Sequence, residues 1–134
     1  MSRQIFINLP VADLARSMAF FKALGFSHNP QFSDDNGACI IVSDTIFVML
    51  LTHARFRDFT PKAVCDTSQA VEVLLTLSCE SREQVDGLVA RALAAGGSTY
   101  DKPEDHGFMY THSLLDPDGH GWGLVHMSAM PAQE

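Results

Sequence analysis

Glu72, His112 and His53 are the side chains on which this sequence could build a reaction. A carboxylate and two imidazoles form the two-histidine, one-carboxylate set that suits a divalent transition ion. Without a metal, Glu72 as general base and His112 as general acid could move a proton in an isomerisation. His112 shares strand parity with Tyr110 on the final hairpin, and His53 shares parity with Met49 at the end of its strand, so whether the three converge is left open. Among the other histidines, His126 alternates with Trp122 and Leu124 and belongs to the packed side of its strand, while His28, His106 and His120 sit in loop contexts and are read as solvated. The three cysteines, Cys39, Cys65 and Cys79, form no CxxC pair and are expected as free thiols. Asp116-Pro117-Asp118-Gly119 places proline and glycine where a type I turn needs them, so Asp116 is expected to cap its own backbone rather than act as half of a catalytic pair. No Ser-His-Asp order, phosphate loop or dinucleotide fingerprint is present.

Two stretches of similar layout would position these groups. In the first, Ile5, Ile7 and Leu9 line one side of a strand, Phe6 and Asn8 the other. Asp13 is placed to cap a helix with an apolar stripe of Leu14, Met18 and Phe21, and Gly25 to end it. Strands are then predicted over 26–32, 38–42 and 45–52, with Asn36-Gly37 as a hairpin signal. In the second, Val71, Val73, Leu75, Leu77 and Cys79 alternate along a predicted strand. Ser81-Arg82-Glu83-Gln84 is a capping box, Val85, Leu88, Val89, Ala92 and Leu93 form a helical stripe, and Gly96-Gly97 stops it. Short strands near 98–101, 108–115 and 121–127 complete this half, while 104–107 reads as a polar loop or flap. The helix of each half covers one sheet face, so function is expected on the opposite face.

The 134 residues predict a single domain, 1–128, made of module 1 (3–53), a linker (54–70) and module 2 (71–127), with 128–134 as a frayed tail. A net charge of −7 with nine scattered Lys and Arg argues against a nucleic-acid partner, which needs a basic face. The longest apolar run, Ile46 to Leu51, is far below the roughly 20 residues of a membrane helix. The opening residues lack the pattern of a secretory leader, so a cytoplasmic protein without a membrane partner is expected.

Asn8-Leu9-Pro10-Val11, Asp13, Phe20-Phe21 before Leu24-Gly25-Phe26, and Asp116-Pro117-Asp118-Gly119 before the last strand together resemble the vicinal oxygen chelate superfamily of glyoxalases, bleomycin-resistance proteins and extradiol dioxygenases. The resemblance spans residues 3–127. It implies an α+β, glyoxalase-like fold, with two βαβββ modules in tandem forming a curled mixed sheet around a ligand cup. It does not fix a reaction. Metal-dependent members hold a divalent ion with four side chains, and those positions fall on Phe6, Met49, Leu74 (or Glu72, one strand period away) and Gly123. Phenylalanine, leucine and glycine offer no donor and a thioether is a poor one, so no metal and no other cofactor is expected. The resemblance thus implies a binder of a small, partly apolar molecule, its cup lined by Phe6, Asn8, Phe47, Met49, Leu51, Glu72, Leu74, Thr76, Tyr110, His112 and Gly123. Gly121 and Gly123 are read as leaving volume for that ligand. The alternatives are a metal-dependent lyase or dioxygenase with displaced ligands, or the metal-free isomerase using Glu72 and His112. A homodimer is expected by the same resemblance.

Overall fold

A computed structural model describes residues 2–128, so the last six residues of the expected tail lie outside the described residues. The chain divides after Ala70 into two compact units. Each repeats the order β-α-β-β-β, which gives the α+β, glyoxalase-like tandem that the sequence implied. The first unit contains β1 (Ile5–Val11), α1 (Leu14–Ala23), β2 (Ser27–Asn29), β3 (Gly37–Ile41), β4 (Ile46–Thr52) and the short α2 (His53–Arg57). Its four strands form one open sheet in the order β1-β4-β3-β2. The second unit contains β5 (Leu74–Ser78), α3 (Arg82–Ala94), β6 (Glu104–Asp105), β7 (Met109–Leu115) and β8 (Gly121–Met127), ordered β5-β8-β7-β6. In both, the first strand pairs parallel to the last and the remaining pairs are antiparallel.

The helices start where side chains supply the donors' missing partners. Asp13 accepts from the Arg16 amide at 3.1 Å, and Ser81 from the Gln84 amide at 3.0 Å while Gln84 reaches back to the Glu80 amide at 2.7 Å. Gly25 and Gly96 follow the helices with φ of 103° and 99°, a left-handed conformation that costs glycine nothing. Parity then sorts the residues. Leu9, Val11, Val48, Leu50, Ala38 and Ile40 are buried on the face that α1 covers with Phe20 and Phe21. In the second unit Leu114, Trp122 and Leu124 are buried on the face that α3 covers with Val85, Leu88, Val89 and Ala92.

Four local expectations change. The strand expected over 26–32 stops at Asn29, because Pro30 has no amide for the ladder and Asn29 caps a single 3-10 turn over Pro30–Phe32. The strand expected from Val71 begins at Leu74, where pairing to Gly121 begins, and leaves Val71 and Val73 exposed. The segment near 98–101 contributes one bridge, Ser98 to Leu115, and the edge strand is instead Glu104–Asp105, within the stretch read as a loop. On α1, Ser17 and Phe20 are buried beside Phe21, so the stripe lies one residue toward them from Leu14 and Met18. Among the described residues no helix is long and apolar enough to cross a membrane.

The edge strand β6 is tied to α3 by charge. Arg82 donates to both oxygens of Asp105, the second at 3.0 Å, and lies 5.1 Å over the ring of Tyr110, whose hydroxyl donates to Asp86 at 2.6 Å. The Arg82 hydrogen bond, followed by the Gly107 amide, holds the Asp105 carboxyl down at about 2. A carboxyl depressed in the folded state contributes stability above its ordinary value of 3.8, and that contribution is lost as pH falls toward about 2. Arg82→Gln should therefore lower the melting temperature above the ordinary carboxylate range, and the gap from the parent protein should close as pH falls. Parallel melting curves across that window check it.

Candidate functional site

The helix-free face of the first sheet holds a cavity. Register pairs Phe6 with Phe47 and Ile41, Asn8 with Met49 and Cys39, and Pro10 with Leu51 and Gly37, all on the face away from α1. Over the half of this face carrying Asn8, Met49, Leu51 and Gly37 lies a pocket of about 390 Å³. Its walls come from the segment after β2, with Gln31, Phe32, Ser33 and Asp34, and from α2 and the residues beyond it, with Arg55 and Phe59. This size falls within the range of small-molecule sites, which are mostly apolar clefts with a few polar groups. Phe6 and Phe47 do not line it; their rings stack on each other at 4.9 Å farther along the face.

The polar lining divides by what it already does. Ser33 donates to the Asn29 carbonyl at 2.7 Å and accepts from the Cys39 amide at 3.2 Å. Asp34 accepts from the Asn36 and Gly37 amides at 2.8 and 3.0 Å, so both side chains hold the wall in place. Asn8 makes one long contact, 3.5 Å to the Phe6 carbonyl, and Arg55 reaches Asp58 at 3.7 Å and the face of Phe59 at 5.3 Å. Leu51 closes the floor, and Cys39, on the same sheet face, is buried, which pushes its thiol pKa up.

The second unit distributes its expected site residues over both faces of its sheet. Leu74 pairs with Gly121, and Thr76 with Gly123 and through it with Ser113, all on the face away from α3. His112 pairs with Leu124 and Tyr110 with His126, so these two lie on the α3-covered face, contrary to the expectation that they share a face with Gly123. The cause is the turn. Residues 116–120 close between Leu115 and Gly121, and this spacing sets odd-numbered residues of β7 opposite odd-numbered residues of β8. His112 is buried there, its Nε2 3.3 Å from the Thr99 hydroxyl, 3.2 Å from the Asp101 carbonyl and 3.4 Å from the Asp101 carboxylate. Glu72 has a different neighbour, the His120 ring at 4.0 Å, and His120 is 3% exposed rather than solvated. Glu72 and His112 thus engage different partners, and no acid–base pair joins them. His53 belongs to the first unit, where it opens α2 instead of continuing its strand.

Asp116 explains why that turn is fixed. One carboxylate oxygen accepts from the Asp118 and His120 amides, both at 3.0 Å, and the other from the indole N–H of Trp122 at 3.1 Å. Burial pushes the Asp116 carboxyl up, while the His120 charge and the indole hydrogen bond pull the other way. Its role is to cap the turn, as its sequence context implied.

The glycines of β8 do not create ligand volume. A Cβ on Gly123 would sit 2.8 Å from the Thr76 hydroxyl oxygen, and one on Gly121 2.8 Å from Leu74 Cδ2. The neighbouring strand already fills that space, so close strand approach replaces the expected cavity. As for a metal, Phe6 and Met49 in one unit and Leu74 and Gly123 in the other supply no nitrogen or oxygen side-chain donor. Among the described residues no three His, Cys, Asp or Glu side chains gather to hold an ion. Those four side chains offer a divalent transition ion at most one poor thioether donor.

Sequence and fold comparisons agree with this architecture. Residues 3–43 match the family described as bleomycin resistance protein-like N-terminal. A hypothetical protein of S. aureus is 29% identical over 94% of this chain and 95% of its own, with a TM-score of 0.79. A glyoxalase/bleomycin resistance protein/dioxygenase family enzyme from Burkholderia phytofirmans is 19% identical, covers 94% of this chain and 99% of that one, and superposes with a TM-score of 0.77. A glyoxalase-related enzyme from Fulvimarina pelagi, 20% identical, covers 99% of this chain and 94% of that one at a TM-score of 0.79. The sequence matches none of the curated proteins. The chain thus shares its fold with solved structures described as glyoxalase/bleomycin resistance protein/dioxygenase family members, and residues 3–43 carry the bleomycin resistance protein-like N-terminal match.

Because Thr76 occupies the space over Gly123, Gly123→Leu should lower stability by roughly 1 to 3 kcal/mol, the usual cost of overfilling a packed site. Adding Thr76→Ala to Gly123→Ala should recover part of the loss that Gly123→Ala causes alone. Urea unfolding of the four proteins measures both effects, and an unchanged midpoint for Gly123→Leu would restore the reading of an open cavity.

Proposed function

We propose that this protein binds a small, partly apolar molecule without a metal, in the pocket on the helix-free face of its first sheet. The observation that carries the reading is the pocket itself, about 390 Å³, with Met49 and Leu51 as apolar floor and Asn8 and Arg55 among its polar lining. An apolar floor supplies most of the affinity of such sites and a few directed polar groups supply orientation. Four positions without a metal donor argue for binding or metal-free chemistry over lyase or dioxygenase chemistry at an ion. The separate partners of Glu72 and His112 favour binding over catalysis. A cytoplasmic homodimer belongs to the same proposal and is read by sedimentation of the purified protein and by fractionation of cells.

The test is a thermal-shift screen of small aromatic and aliphatic compounds. A ligand that binds only the folded state raises stability by about 2.7 kcal/mol at a hundredfold excess over its Kd. Hits should lose their effect in Met49→Trp, which fills the floor, and elemental analysis after dialysis should find no stoichiometric Zn, Mn, Fe or Ni. Hits that act equally on Met49→Trp place binding elsewhere, and one metal per chain overturns the metal-free reading.

A further inference from the structure

We infer that the ligand of this pocket carries a single carboxylate on a flat apolar body, with Arg55 as the residue that selects it; this inference rests on the pocket being the binding site. The polar lining sorts into groups already committed to the fold and groups still able to bind. The Ser33 hydroxyl and one oxygen of Asp34 are engaged by backbone amides or a backbone carbonyl within 3.2 Å. Arg55 is different. Among the described residues its one ion pair is to Asp58 at 3.7 Å, with both side chains more than half exposed, which is longer than the 2.7 to 2.9 Å or so of a charge-assisted hydrogen bond. A guanidinium has five N–H donors in a rigid fork, and Arg55 lines the pocket.

Charge sign and geometry both follow. The Arg55 guanidinium lies over the Phe59 ring at 5.3 Å, a cation–π contact that places it beside the apolar wall. A planar fork pairs in register with a planar carboxylate, two N–H groups to two oxygens, and does so better than an ammonium would. Asp34, the acidic residue of the lining, accepts two amide hydrogens through one oxygen, which ties its carboxylate to the wall it helps to build. Asn8 adds an amide whose one bond among the described residues is 3.5 Å long, available to a second polar atom of the ligand. The rest of the lining that a ligand body would meet, Met49, Leu51, Phe32 and Phe59, is apolar, and Phe32 and Phe59 are each 65% exposed at the rim. A phosphate dianion calls for more positive charge than one arginine partly screened by Asp58. A carboxylate does not.

The experiment compares naphthalene-2-carboxylate, its neutral carboxamide and inorganic phosphate by calorimetry and amide chemical-shift mapping, on the parent protein, Arg55→Gln, Arg55→Lys and Met49→Trp. The expected result is that the carboxylate binds at least about tenfold more tightly than the carboxamide, that Arg55→Gln removes this preference, and that Arg55→Lys recovers only part of it, since the charge returns without the fork. Phosphate should shift no pocket amide at millimolar concentration. Equal affinity for carboxylate and carboxamide, with both lost in Met49→Trp, would leave the pocket as the binding site and overturn the anion selectivity. Preference for phosphate, or a carboxylate preference that survives Arg55→Gln, would overturn it as well. Shifts confined to amides outside the pocket, or absent with every probe, would overturn the binding site and the anion inference together.

Discussion

One helix per four-stranded sheet is the constraint from which the rest of this molecule follows. A sheet has two faces and side chains alternate between them, so a single helix can bury only half of the residues in each strand. In the first unit the covered half is the run of fully buried aliphatics under Phe20 and Phe21, and the uncovered half carries Asn8, Met49 and the stacked Phe6 and Phe47. The chain does not waste this second face. The 3-10 turn after β2 and the short helix after β4 rise on either side of it and convert part of an open sheet into a pocket.

The second unit obeys the same constraint with a different result. Its uncovered face carries Leu74 and Thr76 against Gly121 and Gly123, and the side chains of β5 occupy what the glycines omit. The covered face holds more than hydrocarbon: His112 with Thr99 and Asp101, Tyr110 with Asp86 and Arg82. A buried polar group is costly unless it is hydrogen-bonded, and buried His112 has partners in Thr99 and Asp101. Residues that look reactive in a sequence are, in this unit, the fasteners of a short edge strand and its helix.

How much of this was legible beforehand depends on the range of the interaction that decides each residue. Caps and turn residues act within four positions, so Asp13, Ser81 with Gln84, and Asp116 could be assigned from their neighbours alone. Strand parity within one strand was equally plain, and it put Leu9 and Phe6 on opposite faces. Parity between strands was not, because it depends on how many residues the connecting turn takes. The turn over 116–120 moves His112 and Tyr110 to the face opposite Gly123, and the buried Leu114 two positions from His112 was the available signal. Most of the pocket wall escaped notice for another reason. Gln31, Phe32, Arg55 and Phe59 lie where no periodic pattern runs, and only the folded backbone brings them to Asn8 and Met49.

The pairing of Trp122 with Asp116 gives the molecule an optical asymmetry. Trp122 is the chain's single tryptophan, 2% exposed, with its indole N–H on a carboxylate beneath the β7–β8 turn. Tryptophan emission is sensitive to local polarity and to nearby carboxylate charge, so the fluorescence of this protein observes the second unit and is blind to the first. An unfolding curve followed by emission would therefore track the closure of one hairpin, whereas far-ultraviolet circular dichroism follows the strands and helices of both units. If the two units melt in separate steps, the two signals would diverge, and the distance between their midpoints would measure how strongly one half of the chain depends on the other.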